Sequence, residues 1–169
     1  MSGPAAPTTS PVTAAITALR VAGERGDADA VAELLAPDVV FHSPISARIR
    51  FVGREDVTAL HRDIFAVLEN IETTESLTHG DTGSFSFRAR VRGVALEAMN
   101  LVRVNEQGQI VECTVYARPL PGLATLFATL PPRVATRRRG RLTGTLVAIA
   151  TRPLAFALRT ADRVAPKLI

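Results

Sequence analysis

The sequence of 169 residues has no tryptophan, one tyrosine and one cysteine. Nucleic-acid strands are commonly held by stacking on aromatic side chains, so this scarcity argues against a base-stacking platform. Cys113 has no second cysteine to pair with, which excludes an internal disulfide and favours a reducing compartment. The sequence also lacks a glycine-rich phosphate loop, a nucleophile elbow and a paired-cysteine motif. Nucleotide chemistry and covalent catalysis therefore have no support.

Metal ligands and targeting signals are also missing. His42, His61 and His79 lie far apart and lack the spacing of metal ligands, so we expect neither a metal nor a cofactor. Residues 1–11 contain no basic residue and no apolar run, unlike a signal peptide. Their Pro, Ser, Thr and Ala content predicts a short disordered lead. We expect a cytoplasmic protein, with peripheral association with a membrane through its C-terminal part as the further option.

Charge is distributed very unevenly along the chain. Residues 1–132 contain 11 arginines and 15 acidic residues, whereas residues 133–169 contain nine basic residues and only Asp162 as an acid. Such a basic tail is typical of segments that meet an anionic surface. The candidate contact residues are Arg137, Arg138, Arg139 and Arg141.

The apolar stretch Leu142–Leu158 follows these arginines and has Arg152-Pro153 at its middle. A central charge and a helix breaker make it a poor membrane-spanning helix. An arginine cluster beside an apolar segment favours a membrane surface over nucleic acid, because the apolar part then also has a partner. A tail that folds back on the domain remains the main alternative.

Helix signals dominate the first part of the chain. Ser10-Pro11 predicts a helix start, and the helix should end near Gly26. Asp27 should cap a short second helix that Ala36-Pro37 closes, before a strand over residues 38–43. A third helix should follow Gly53, with these residues on one apolar face: Val57, Leu60, His61, Ile64 and Leu68.

Alternating patterns then predict strands linked by hairpins at Arg92-Gly93 and residues 105–108. One face carries Phe85 and Phe87, then Leu96 and Asn100, and finally Cys113, Val115 and Ala117. Glu97 should lie on the opposite face. Helices followed by hairpin-linked strands predict an α+β fold over residues 12–118, with a curved antiparallel sheet packed on helices around an apolar pocket. Prolines at 119, 121, 131 and 132 mark a boundary, so residues 119–169 are interpreted as a basic and apolar C-terminal extension.

Several short motifs occur in an order that resembles the nuclear transport factor 2-like superfamily, which includes SnoaL-like cyclases and ketosteroid isomerases. They are Gly26-Asp27, Ala36-Pro37-Asp38 before Val39-Val40-Phe41, Pro44, Gly53-Arg54-Glu55, and Asn105 to Glu112. The resemblance covers residues 12–118. It implies a cone-shaped sheet wrapped on helices, a pocket inside the cone and a homodimer.

The isomerase residues of that superfamily are replaced here. Ser43, before Pro44, occupies the position of the general-base aspartate, and Asn100 that of the protonated aspartic acid of the oxyanion hole. Leu19 and His61 occupy the positions of two tyrosines. The acid of SnoaL-like cyclases would fall near Val115 or Arg118.

Two hypotheses about function follow. In the first, the domain binds a small hydrophobic, steroid- or polyketide-like ligand through Leu19, Phe41, Phe85, Phe87, Leu96, Cys113 and Val115. In the second, it is a cofactor-independent isomerase, cyclase or hydratase: Asn100 polarises a carbonyl, His61 transfers a proton and Ser43 orients them. The lack of a carboxylate at the expected positions favours the first.

Overall fold

The structure is a computed structural model that describes residues 10–164 of the chain. The predicted disordered lead, residues 1–11, lies outside these residues except for its last two. Ser10 accepts a hydrogen bond from the backbone N–H of Thr13, and Pro11 is the first residue of a helix. Both are therefore part of the folded domain, as expected of a capping residue followed by proline.

Five helices form within the described residues. They are α1 (Pro11–Arg25), α2 (Ala28–Leu34), α3 (Arg54–Phe65), α4 (Leu120–Arg139) and α5 (Arg141–Val164). The first three confirm the predicted helices, except that α3 ends at Phe65, so Leu68 lies beyond the helix and not on its face as expected. Gly26 ends α1 at a φ of 65°, a conformation that glycine adopts without strain, and the Asp27 carboxylate accepts hydrogen bonds from two N–H groups of α2.

Six strands of residues 10–164 form one curved sheet. They are β1 (Leu35–His42), β2 (Arg50–Val52), β3 (Glu69–His79), β4 (Thr82–Val91), β5 (Val94–Val104) and β6 (Ile110–Arg118). Their order across the sheet is β2-β1-β6-β5-β4-β3. The pairs are antiparallel except β1 with β6, which is parallel. The predicted α+β architecture is confirmed, with one parallel pair that the expected antiparallel sheet did not include.

The first strand starts earlier than the sequence indicated. Ala36-Pro37 was expected to close α2, but α2 ends at Leu34 and β1 already includes Pro37. The β1–β6 pairing shifts register between Leu35 and Val40, so the proline lies where the ladder is interrupted and its missing N–H breaks no strand pairing. Arg54 at the start of α3 donates two hydrogen bonds to the Leu35 carbonyl and holds this entry to the strand.

The proline-rich region after the sheet is helical. Pro121 lies in the first turn of α4, where no N–H is needed, and Pro131 and Pro132 are accommodated inside the helix. Leu126 and Leu130 of α4 pack with Val91 and Leu96 of the sheet. Burial against the sheet therefore overrides the helix-breaking tendency of the prolines.

The two C-terminal helices pack closely on one another. A Cβ added at Gly144 of α5 would collide with the Thr136 side chain and would lie 2.8 Å from the Pro132 carbonyl oxygen of α4. None of the described helices is long and apolar enough to cross a membrane.

Candidate functional site

An apolar pocket of about 400 Å³ lies on the inner face of the sheet, within the size range of small-molecule sites. Its walls come from α1, α3, the inner faces of β4, β5 and β6, the β1–β2 connection, α4 and the beginning of α5. The aromatic lining residues are Phe41, Phe51, Phe65, Phe85 and Phe87.

All ten residues that the sequence assigned to the site line this pocket. They are Ser43, His61 and Asn100, together with Leu19, Phe41, Phe85, Phe87, Leu96, Cys113 and Val115. The register of the strands explains why. Asn100 pairs with Phe85 on one neighbouring strand and with Val115 on the other, so the three form one row across the inner face.

His61 lies on α3 between two aromatic rings, with centroids 5.8 Å from those of Phe41 and Phe65. Its Nδ1 lies 2.8 Å from the Val57 carbonyl oxygen, so Nδ1–H donates and Nε2 is left as an acceptor. Burial lowers the pKa of His61 below its usual value, because the apolar surroundings disfavour the imidazolium; the bond to Val57 opposes this effect. The ring is therefore neutral at pH 7, and its Nε2 is available to accept a hydrogen bond from a ligand.

Asn100 has only a weak protein partner. Its Oδ1 accepts from the Cys113 thiol at 3.7 Å. None of the hydrogen bonds found among residues 10–164 uses its Nδ2, which therefore retains two donors at the pocket wall. An amide in an apolar pocket needs a partner for its donors, and a ligand carbonyl oxygen would provide one.

Cys113 is not a nucleophile in this setting. Burial raises the pKa of the Cys113 thiol to about 12, with a smaller contribution from the negative charge of Glu112. The reactive thiolate is then almost absent at neutral pH. Cys113 acts as a small apolar residue of the pocket wall.

Carboxylates are absent from the pocket wall formed by the described residues. Glu97 lies on the outer face of the sheet, as predicted, and pairs with Arg88 and Arg118. His42 also points away from the pocket and bonds to Glu112 at 3.0 Å. General acid–base chemistry by paired carboxylates is therefore excluded at this wall, and His61 is the one imidazole among its described lining residues.

Sequence reasoning missed the wall that the C-terminal helices provide. Leu126, Leu130 and Val134 of α4 and Thr143 and Val147 of α5 line the pocket. Apolar residues at spacings of three and four along α4 indicate a helix with one apolar face, whereas the prolines of the same region indicate a break.

The four arginines proposed for an anionic surface have different surroundings. Arg137 binds the buried carboxylate of Asp63 at 2.7 Å, and Arg138 binds Asp56 at 2.5 Å. Both arginines are thus ion-paired with acids of α3, along which α4 lies, and both remain exposed, so their contact with an anionic surface stays a prediction. Arg139 borders the pocket, and both it and Arg141 are exposed.

The SnoaL-like domain family matches residues 12–113, more than half of the chain. No curated protein matches the sequence.

Solved structures share the fold. A steroid delta-isomerase from Pseudomonas aeruginosa is 26% identical with a TM-score of 0.70, and the match covers 79% of this chain and 98% of that one. An uncharacterized protein with a cystatin-like fold from Silicibacter pomeroyi DSS-3 is 24% identical with a TM-score of 0.70, covering 76% and 91%. A hypothetical protein with a ketosteroid isomerase-like fold from Catenulispora acidiphila, solved in complex with trimethylamine, is 20% identical with a TM-score of 0.54, covering 69% and 92%.

Proposed function

The chain belongs to the SnoaL-like domain family, and from this we propose that its pocket binds a small hydrophobic ligand that carries a carbonyl or hydroxyl group. The observation that carries the proposal is the chemistry of the wall. The lining is almost entirely aliphatic and aromatic, and Ser43, His61 and Asn100 are among its few polar groups. A ligand site of this type gains affinity from apolar contact and orientation from a few polar groups.

Steroid- and polyketide-like molecules fit these properties. They are rigid, largely apolar and carry a few oxygens. The Nδ2 group of Asn100 can donate to a ligand oxygen, and Nε2 of His61 can accept from a ligand hydroxyl. The five phenylalanines supply flat surfaces for packing against fused rings.

A substitution that fills the pocket with a large side chain tests the proposal. Ala98 faces the pocket between Phe87 and Ala117 of the neighbouring strands, so Ala98→Phe would occupy the space of a ligand. Binding of a panel of steroid and aromatic ketones, measured by isothermal titration calorimetry, should weaken by about tenfold or more. Met99→Phe places the same side chain one residue further along β5, on the outer face, and should bind like the wild type.

Absence of binding by the wild-type protein to every member of the panel would contradict the proposal. Equal binding by the Ala98→Phe and Met99→Phe variants would contradict the assignment of the ligand to this pocket.

A second candidate function is proton-transfer catalysis at the same pocket. The specific observation in its favour is a half-buried, neutral His61 whose Nε2 has no partner among residues 10–164, on the same wall as an amide with unused donors. His61 would remove a proton next to the ligand carbonyl, Asn100 would stabilise the oxyanion that forms, and Ser43 would orient the two.

Isomerisation of unsaturated ketones, followed by ultraviolet absorbance, tests this alternative. We expect His61→Gln to lower kcat by about a hundredfold or more while ligand binding persists. Binding without turnover by the wild type would leave the ligand-binding function and remove the catalytic one.

A homodimer is also part of the proposal, supported by the resemblance and by the outer face of the sheet. Met99, Leu101 and Tyr116 expose between 36% and 53% of their surface there. The three lie on adjacent strands, in cross-strand rows that also include Ser84 and Ser86.

A further inference from the structure

One side of α5 is apolar and is not covered by the rest of the described chain. The opposite side, with Gly144, Thr151 and Ala155, is buried. The uncovered residues follow alternating spacings of four and three and therefore share one helix face: Leu142, Leu146, Ile149, Pro153 and Phe156. We name this set the α5 stripe. Leu142 is 84% exposed and Phe156 is 74% exposed, which is unusual for side chains of this size.

A row of arginines runs along one edge of the stripe. Arg141, Arg152, Arg159 and Arg163 are separated by eleven, seven and four residues, close to whole numbers of helical turns. They therefore lie in one line between the stripe and the buried side. Asp162 is the one acidic residue in α5, and no ion pair among residues 10–164 includes any of the four arginines.

We propose that α5 docks on an anionic lipid surface, with the stripe at the boundary of headgroups and acyl chains and the arginines on lipid phosphates. Interfacial helices combine a large apolar face with basic residues, and they lie in the membrane plane instead of crossing it. The helix has 24 residues, and no described helix has the apolar length to span a bilayer. Each arginine near an anionic leaflet adds attraction that falls with salt.

The combination of apolar and basic residues on α5 favours an anionic membrane over a nucleic acid or a second copy of the chain as its partner. A nucleic acid would neutralise the arginines but leave the stripe in water. An antiparallel pairing of α5 with α5 of a second copy would bring the two arginine rows together, and such like-charge contacts are costly. An anionic membrane satisfies both the apolar and the basic parts at once.

Co-sedimentation of the full chain with vesicles tests the proposal. We expect binding to phosphatidylcholine vesicles that contain about 30% phosphatidylserine, little binding to phosphatidylcholine alone, and a decrease as salt is raised. Leu146→Ser/Phe156→Ser should lower the partition coefficient by about tenfold or more. Because both side chains are exposed, the urea midpoint and circular dichroism spectrum should not change.

Matched control variants test whether vesicle binding depends on the α5 stripe and its arginines, or on any exposed leucine or arginine of the protein. Leu77, on β3, is 76% exposed, so Leu77→Ser removes a comparable leucine elsewhere and should bind vesicles like the wild type. Arg152→Gln/Arg163→Gln should weaken binding to anionic vesicles by about tenfold. Arg48→Gln/Arg50→Gln removes the same charge from another exposed segment and should have a smaller effect.

Three results would overturn the proposal. The first is wild-type protein that stays in the supernatant with anionic vesicles. The second is equal sedimentation of the wild type and of Leu146→Ser/Phe156→Ser. The third is a self-association, seen by light scattering, that this double variant abolishes while no vesicle binding occurs; the stripe would then be a contact between copies of the chain.

Discussion

His61, Asn100 and Cys113 are three polar or ionisable side chains on a wall that is otherwise mostly apolar. Their surroundings give each a different property. His61 is held neutral with one ring nitrogen bonded to its own helix, whereas Asn100 keeps unused donors. Cys113 keeps its proton because its thiolate would be buried in apolar surroundings. The three side chains therefore offer hydrogen bonding to a ligand, and Cys113 is not poised for nucleophilic attack.

Slow alkylation of Cys113 is the first prediction at the residue scale. The pKa rises from 9.0 to about 12, so the thiolate fraction at neutral pH falls by about a thousandfold. We expect iodoacetamide to modify the folded protein at least about a hundredfold more slowly than the chain in urea, as followed by intact mass. Similar rates in the two states would show that the thiol is accessible and ionised more easily than the structure indicates.

A pH dependence of stability is the second prediction at this scale. The pKa of His61 is lower in the folded state than its ordinary 6.5, so the unfolded state binds more protons as the pH falls through 6.5. Stability contributed by the neutral ring is therefore present above that pH and is lost below it. We expect the loss in urea midpoint between about pH 7.5 and about pH 5.5 to be smaller in His61→Gln than in the wild type.

The exposed His79 provides the control for that experiment. His79→Gln removes a histidine at the end of β3 and should retain the wild-type pH dependence. If His61→Gln and His79→Gln both follow the wild-type profile, His61 is not the group responsible.

At the scale of elements, two features position α4 and α5: glycines that let backbones come close together, and ion pairs between α3 and α4. Gly122 brings the start of α4 against the backbone of β5 at Ala95, and Gly144 brings α5 against α4. Asp63 of α3 is buried and binds both Arg133 and Arg137 of α4, at 3.2 and 2.7 Å. Loss of these partners would leave the buried Asp63 carboxylate without a compensating charge, so the contacts hold α4 against α3.

A pair of glycine substitutions provides the prediction at this scale. Gly144→Ala would force α5 away from Pro132 and Thr136 and should lower the free energy of unfolding by about 1–3 kcal/mol. Gly23→Ala, in α1, meets nothing within 4 Å and should raise it by about 0.5–1 kcal/mol. Urea denaturation measures both. Equal effects would mean that the contact between α4 and α5 is looser than described.

For the whole molecule, the arrangement places three surfaces in different directions. The pocket occupies the inner face of the sheet, the exposed apolar residues Leu101 and Tyr116 lie on its outer face, and the α5 stripe lies on the uncovered side of α5. Thr143 and Val147 of α5 line the pocket next to Leu142 and Leu146 of the stripe. A protein docked through α5 would therefore hold one wall of its pocket near the lipid surface.

Dimerisation through the outer face is the prediction at the scale of the molecule. Leu101→Glu/Tyr116→Glu would place like charges opposite one another in a two-fold contact and should convert a dimer to a monomer in light scattering. Val21→Glu alters a similarly exposed apolar residue on α1 and should leave the dimer intact. A monomeric wild type at high concentration would contradict the prediction.

The sequence by itself determined most of the domain. Period-two alternation fixed which side chains of β4, β5 and β6 face inward, because a strand turns successive side chains to opposite faces. The same logic on α3 placed His61 on the pocket wall. These are local properties, and neighbouring residues in the chain suffice to set them.

Only the tertiary structure decided the role of the C-terminal part. Proline signals marked residues 119–132 as a boundary, yet burial of Leu126 and Leu130 against the sheet keeps α4 helical. The arginine cluster was interpreted as one surface, but Asp56 and Asp63, more than seventy residues earlier, take up Arg138 and Arg137. Contacts between residues so far apart in sequence depend on how the chain folds back, and patterns over a few neighbouring residues do not predict them.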